Sequence, residues 1–146
     1  MNTPFESTRQ AVLESMLIDC LGHADHIADE VYLHCVVECG VSSADVFYDI
    51  NGKLYRMREL DGPEDGDRTL ALLIRLMDSL DALVGLHQHH AHPPPTGLKL
   101  HYDAVRDLLS VAWSYDLQFS DSGTLLPADL FDAWFEEVSM RPRRIA

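Results

Sequence analysis

The chain has 146 residues, 47% of them hydrophobic, which is enough for one domain with a buried core. Its 24 acidic residues against 11 lysines and arginines give a net charge of −13. This charge excludes nucleic acid and anionic membranes as expected partners, because binding either requires clustered basic side chains. No apolar run approaches the roughly 20 residues of a membrane span, and no signal peptide is recognisable, so we expect a cytoplasmic protein.

The charge is distributed unevenly along the chain. Residues 1–140 contain 8 basic and 24 acidic residues, a net charge of −16, whereas the last six residues contain three arginines. We therefore expect a single domain over residues 1–140 and a basic tail over residues 141–146. An acid excess of this size indicates either a basic partner or solubility alone.

The first half of the chain predicts a helix followed by three strands. Residues 8–22 carry apolar side chains at helical spacing, with Ser7 or Thr8 as the N-cap and Gly22 as the stop. Residues 30–39 alternate as a strand does, and residues 40–43 are expected to break it. A second strand is expected to begin at Val46.

The dipeptide Asn51-Gly52 predicts a tight hairpin, because a type I′ turn needs positive φ at both central residues. The expected cross-strand pairs are Ile50–Lys53, Asp49–Leu54, Tyr48–Tyr55, Phe47–Arg56 and Val46–Met57. Side chains on the face of Tyr48 are expected in the core. Phe47 on the opposite face is expected to be partly exposed.

Residues 59–67 contain five acids, two glycines and a proline, which is typical of a solvated loop. Asp67 is expected to cap a helix over residues 68–86. One broad apolar stripe of that helix is expected in the core, formed by Leu70, Leu73, Ile74, Met77, Leu80, Leu83 and Val84.

The second half predicts a His- and Pro-rich connector over residues 87–97, strands over 98–102 and 109–115, and a loop over 116–124. Pro127 suits the first turn of a closing helix. The element order is α-β-β-β-α-β-β-α. We therefore expect an α+β fold in which an antiparallel sheet of about five strands carries a helical layer on one face.

No catalytic motif or cofactor-binding fingerprint is present, so neither an enzyme nor a cofactor is expected. Cys20, Cys35 and Cys39 are expected to be reduced thiols. A Cys35–His34 nucleophile pair is disfavoured, since neighbouring strand residues point to opposite faces.

A cluster of four histidines is a candidate metal-binding site, because imidazole is a common ligand of zinc, copper and nickel. The cluster comprises His87, His89, His90 and His92. A Pro-flanked loop offers no fixed geometry, so a solvated loop is the favoured interpretation. His23 and His26 are likewise expected at the surface.

The acidic loop also has two interpretations. Taken alone, it is a solvated loop with a helix cap, and it lacks the spacing of a calcium-binding EF-hand. The functional interpretation is a contact surface for a basic protein, supported by the acid excess of the whole chain and by further acids at Asp116, Asp121, Asp129 and Asp132.

Several short motifs recur together in one known family. Val46-Phe47-Tyr48 leads into Gly52-Lys53, and Ser114-Tyr115-Asp116 is followed by Pro127 and then Trp134. With the element order above, residues 8–135 resemble the YezG-like family of bacterial immunity (antitoxin) proteins. The connector over residues 87–95 departs from that family pattern.

The resemblance implies a non-catalytic protein of the bacterial cytoplasm that binds and neutralises a cognate toxin of interbacterial competition, such as contact-dependent growth inhibition. Such toxins are often nucleases, whose basic grooves would complement an acidic inhibitor. The expected contact residues are Glu59, Asp61, Glu64, Asp65, Asp67, Asp116 and Asp121, with Phe47 as an exposed aromatic. The alternative functions are a metal-binding protein that uses the His87–His92 cluster, or a non-catalytic adaptor domain.

Overall fold

The computed structural model describes residues 3–61, 67–117 and 125–141. Three helices accompany one five-stranded antiparallel sheet, in the predicted order and α+β class. The helices are α1 (Pro4–His23), α2 (Asp67–His89) and α3 (Pro127–Ser139), and a short 3₁₀ helix spans Met57–Leu60. The strands are β1 (Glu30–Glu38), β2 (Val41–Ile50), β3 (Lys53–Arg56), β4 (Gly97–Asp103) and β5 (Leu108–Ser114). Within the described ranges, no helix is long and apolar enough to cross a membrane.

The sheet has the strand order β3-β2-β1-β4-β5, so β1 is its central strand. The Asn51-Gly52 turn sets the β2–β3 register as predicted, with four expected pairs present from Phe47–Arg56 to Ile50–Lys53. The fifth expected pair, Val46–Met57, is wrong. The chain leaves the sheet at Met57 and turns into the 3₁₀ helix, which buries that side chain in the core.

The predicted break after β1 is also wrong. Cys39 and Gly40 have φ values of 47° and 80°, and β2 begins at once at Val41. Positive φ at both central residues is what a two-residue hairpin requires. The result is a ladder of nine residue pairs between β1 and β2, from Glu30–Asp49 to Glu38–Val41.

Helices α1 and α2 cover one face of the sheet and enclose the larger core. α1 begins earlier than predicted, because the Thr3 side chain accepts a hydrogen bond from the Glu6 amide and serves as the N-cap. α2 continues past the predicted end, so that His87 and His89 are helical. The core contains fully buried side chains from both helices and from the inner face of the sheet, including Met16, Cys20, Leu33, Tyr48 and Leu76.

Helix α3 packs on the opposite face of the sheet, which corrects the expectation of a helical layer on one face only. A second core forms there from Tyr32, Phe47, Phe131, Trp134 and Val138. Aromatic side chains dominate it, with the Tyr32 and Phe47 rings stacked at 4.5 Å between centroids. Both faces of the sheet thus carry helices, α1 and α2 on one face and α3 on the other.

Candidate partner-binding surface

The outer side of α2 presents two aliphatic side chains to solvent. Leu70 and Ile74 are 56% and 55% exposed, although both were predicted to lie in the core. Leu80 and Leu83 are buried as predicted, and the other buried positions of the helix are Thr69, Leu72, Leu76 and His87. Because these repeat at three and four residues, the residues on the opposite side of the helix face solvent.

Three carboxylates continue the same exposed side of the helix. Asp67, Leu70, Ile74, Asp78 and Asp81 follow one another at intervals of three or four residues, so they form one line along α2, here named the α2 stripe. All three aspartates are exposed. Across the described ranges, no ion pair includes any of them. The α2 stripe therefore offers free acidic groups on both sides of an exposed apolar pair.

Two predicted contact residues, Glu59 and Asp61, lie at the end of the 3₁₀ helix that precedes α2 in the chain. Glu59 is exposed, and its Oε1 accepts a hydrogen bond from the Arg56 amide at 2.9 Å. Asp61 is largely buried, with an 11% exposed side chain, and its Oδ2 accepts a hydrogen bond from Thr69 Oγ1. Asp61 therefore fixes the start of α2, whereas Glu59 remains open to a partner. Glu64 and Asp65 lie outside the described residues.

The prediction of Phe47 as an exposed contact residue is wrong. Phe47 is fully buried in the second core, where the rings of Phe131, Trp134 and Phe135 all lie edge-on to it within 5.5 Å. The sequence pattern showed that Phe47 faces away from Tyr48, but it did not show that α3 would cover that face.

The predicted contact residue Asp116 is not brought together with Glu59. Asp116 is exposed and follows β5, whereas Glu59 follows β3, and these two strands form opposite edges of the sheet. The Asp116 carbonyl accepts a hydrogen bond from Thr96 Oγ1 at 2.7 Å. Asp121 lies outside the described residues.

Helix α3 carries a second acidic surface whose carboxylates are mostly engaged. Asp132 pairs with Arg56 at 2.7 Å, and Glu137 pairs with Arg141. Asp129 accepts a hydrogen bond from the Leu126 amide at 2.8 Å and so caps its own helix. The α2 stripe is therefore the freer of the two acidic surfaces.

The histidine cluster is partly a packing element rather than the expected solvated loop. His87 is 1% exposed, and the Phe5 ring lies edge-on to it and is stacked on His92 at 4.2 Å. His87 Nδ1 donates to the Pro93 carbonyl at 3.1 Å, and burial lowers the pKa of the ring. His89 and His90 are exposed. Over the described ranges, no three His, Cys, Asp or Glu side chains are grouped so that they could hold a metal ion.

His23 is also buried, contrary to the expectation of a surface position. Its Nε2 donates to the Met57 carbonyl at 2.8 Å, which ties the end of α1 to the 3₁₀ helix. Arg68 reaches the same helix end, where it donates to the His23 carbonyl at 2.7 Å. His26 is exposed, as expected.

Two of the three thiols, those of Cys20 and Cys35, are unsuited to nucleophilic chemistry. Cys20 and Cys35 are fully buried, and burial raises the pKa of both, that of Cys35 to about 12. A thiol with so high a pKa is almost entirely protonated at neutral pH and is a weak nucleophile. His34 and Cys35 point to opposite faces, as predicted: Cys35 lies in the larger core, while the His34 ring lies near Trp134 of α3.

The α2 stripe could have been found from the sequence by a stricter test of periodicity. Apolar residues in the segment 70–84 occupy too much of the helix circumference for all of them to be buried against one sheet. When Leu72 and Leu76 are taken as the centre of the buried side, Leu70 and Ile74 fall on the opposite side of the helix. Compared with models of known protein families and with curated proteins, this sequence matches none.

Proposed function

We propose that this protein is an immunity protein that binds and neutralises a cognate bacterial toxin by stoichiometric association, through the α2 stripe, with Glu59 as a further contact residue. One observation carries the proposal: two aliphatic side chains, each more than half exposed, lie in line with three aspartates that form no ion pair within the described residues. The proposed location is the bacterial cytoplasm, where the toxin would act.

The composition of the stripe matches the anatomy of a binding interface. Binding energy concentrates in a few well-packed side chains near the centre, while surrounding charges set association rate and specificity. Leu70 and Ile74 would form the centre, and the aspartates would form the rim. A protein with a net charge of −13 attracts a basic partner at long range, and a nuclease toxin carries a basic groove for its phosphate-bearing substrate.

The resemblance of residues 8–135 to YezG-like immunity proteins supports the same function. The direct experiment is co-expression with the toxin encoded immediately upstream of the gene, followed by copurification and a growth assay. We expect a stoichiometric complex and rescue of growth. If the protein neither binds that toxin nor rescues growth, the proposal fails.

Reversing the charge of two aspartates should slow association with the toxin. The variant Asp78→Lys/Asp81→Lys is expected to lower the association rate constant by about tenfold at low salt and to weaken its salt dependence, because electrostatic steering is lost. Surface plasmon resonance at several ionic strengths measures both effects. The control, Glu14→Lys/Glu136→Lys, changes net charge equally on α1 and α3, and an equal loss in the control would move the interface away from α2.

Truncating the apolar pair should accelerate dissociation instead. Leu70→Ala/Ile74→Ala is expected to weaken the complex by about tenfold, mainly through the dissociation rate, since two central contacts are removed. The matched control is Ile18→Ala/Ile27→Ala, which truncates two other aliphatic side chains that are each 62% exposed. Unchanged affinity in the α2 variant would contradict the placement of the contact centre.

A further inference from the structure

Strand β5 forms one edge of the sheet, where no other strand of the described ranges pairs with it, and it carries no charged side chain. Its seven residues, Leu108–Ser114, pair with β4 on one side only. Edge strands expose unpaired amide and carbonyl groups, and proteins that remain monomeric usually protect them with charges, prolines or bulges. β5 has no charged residue and no proline over its whole length.

The opposite edge shows the protection that β5 lacks. β3 is four residues long and begins and ends with a basic residue, Lys53 and Arg56. Arg56 is also held in an ion pair with Asp132 of α3. A short, charged edge is a poor template for another strand, so the two edges of this sheet differ in their capacity to pair.

Exposed apolar residues are concentrated at both ends of β5. Leu108 begins the strand and is 54% exposed, and Val105, 62% exposed, lies in the turn before it, while Tyr115 and Leu117 lie just after its end, 52% and 49% exposed. Beside the strand, α1 and β5 border a groove of about 310 Å³, lined by Leu109, Val111 and Trp113 from β5 and by Glu6, Arg9, Gln10 and Leu13 from α1. The three β5 residues pack against the larger core but remain partly accessible.

We propose that β5 pairs with β5 of a second copy of this chain, antiparallel and centred on Val111, which joins two five-stranded sheets into one. In this register Val111 faces its own copy, Leu109 faces Trp113, and Ser110 faces Ala112. The pattern is self-complementary, with large apolar pairs on the α1 side and small pairs on the other side.

Electrostatic repulsion between two copies is expected to be weaker at the β5 edge than at other surfaces of the molecule. A protein with a net charge of −13 repels itself across most of its surface. Antiparallel pairing of β5 sets no like charges opposite each other within the strands, because neither strand carries any. In a two-fold symmetric dimer each β5 edge pairs with the other, so no β5 edge remains to bind a third copy and no filament forms.

The test uses analytical ultracentrifugation of the full, tag-free chain across the micromolar range. We expect a reversible dimer for the wild-type protein, with stronger protection of β5 amides from hydrogen exchange as concentration rises. A wild-type protein that stays monomeric overturns the proposal. So does β5 protection that appears only when the toxin is added, since the edge would then serve the toxin.

Two double variants test the register at exposed positions. Ser110 and Ala112 are both exposed, so substitution leaves the core intact. Ser110→Glu/Ala112→Glu sets carboxylates opposite each other and is expected to raise the dimer dissociation constant by about tenfold or more. Ser110→Lys/Ala112→Glu sets opposite charges across the same pairs and is expected to restore the dimer.

Circular dichroism and thermal unfolding confirm that both variants are folded. The two variants share the Glu substitution at position 112 and differ only at position 110, so general effects of a charge at position 112 cancel. Equal dissociation constants for the two variants contradict pairing centred on Val111. This outcome is independent of toxin binding by the α2 stripe, which lies on a different helix.

Discussion

Phe47→Ala is expected to lower the free energy of unfolding by about 3–5 kcal/mol, the usual cost of truncating a fully buried phenylalanine. Phe47 is 0% exposed and contacts rings on both sides of the second core, with Tyr32 stacked on it and α3 aromatics edge-on. Truncation leaves a cavity under α3, which has few other contacts with the sheet. Helix α3 is therefore expected to detach at lower denaturant concentration than the rest of the fold.

Urea unfolding monitored by tryptophan fluorescence measures the effect, because Trp134 lies in the same core. The control is Tyr55→Ala in the same hairpin. Tyr55 is only partly buried and stands beside Lys53, so its truncation should cost much less. A loss below about 1 kcal/mol for Phe47→Ala would mean that α3 does not cover this face.

Acidification should destabilise the fold through His34. Burial, and secondarily the nearby Lys99 ammonium, lowers the pKa of His34 from 6.5 to about 4. The unfolded chain therefore binds a proton below pH 6.5 that the folded chain does not bind until about pH 4. Stability is unaffected by this group above pH 6.5, falls as pH drops from 6.5 to 4, and has lost up to about 3 kcal/mol below that window.

Chemical denaturation between pH 8 and pH 4 measures that slope. His34→Gln removes the titrating group and is expected to flatten the decline. The slope that remains in His34→Gln includes His87, whose pKa burial also lowers. Parallel curves for wild type and His34→Gln would show that the His34 ring is accessible to water in the folded state.

Local patterns predicted the sheet well where a turn requires a specific backbone. Asn51-Gly52 fixed four cross-strand pairs, because few dipeptides adopt positive φ at both positions. The same geometry at Cys39-Gly40 was missed, since cysteine rarely signals a turn and Ser42-Ser43 resembles a loop. Ser42 and Ser43 are held in β2 by their pairing with β1. The intrinsic strand propensity of serine does not predict this pairing.

The positions of the helices relative to the sheet were harder to predict. Alternation placed Tyr48 and Phe47 on opposite faces correctly, but whether a face is covered depends on where α3 lies after a long connection. For the same reason, His87 could not be recognised as buried until Phe5 of α1 was brought against it. The predicted contact residues therefore do not form one surface, since Phe47 is buried and Asp116 lies at the other sheet edge from Glu59. Leu70 and Ile74, the apolar part of the candidate site, were not among them.

The central position of β1 has a consequence for synthesis of the chain. Residues 31–36 of β1 are all buried, and the strand needs β2 on one side and β4 on the other. β2 follows at once, but the β4 partner of Glu30 is Asp103, far along the chain. A nascent chain therefore carries an apolar strand with one unpaired edge until α2 and β4 have left the ribosome. Ribosomes that stall within α2 would release an aggregation-prone fragment, even though most of the larger core has already been translated.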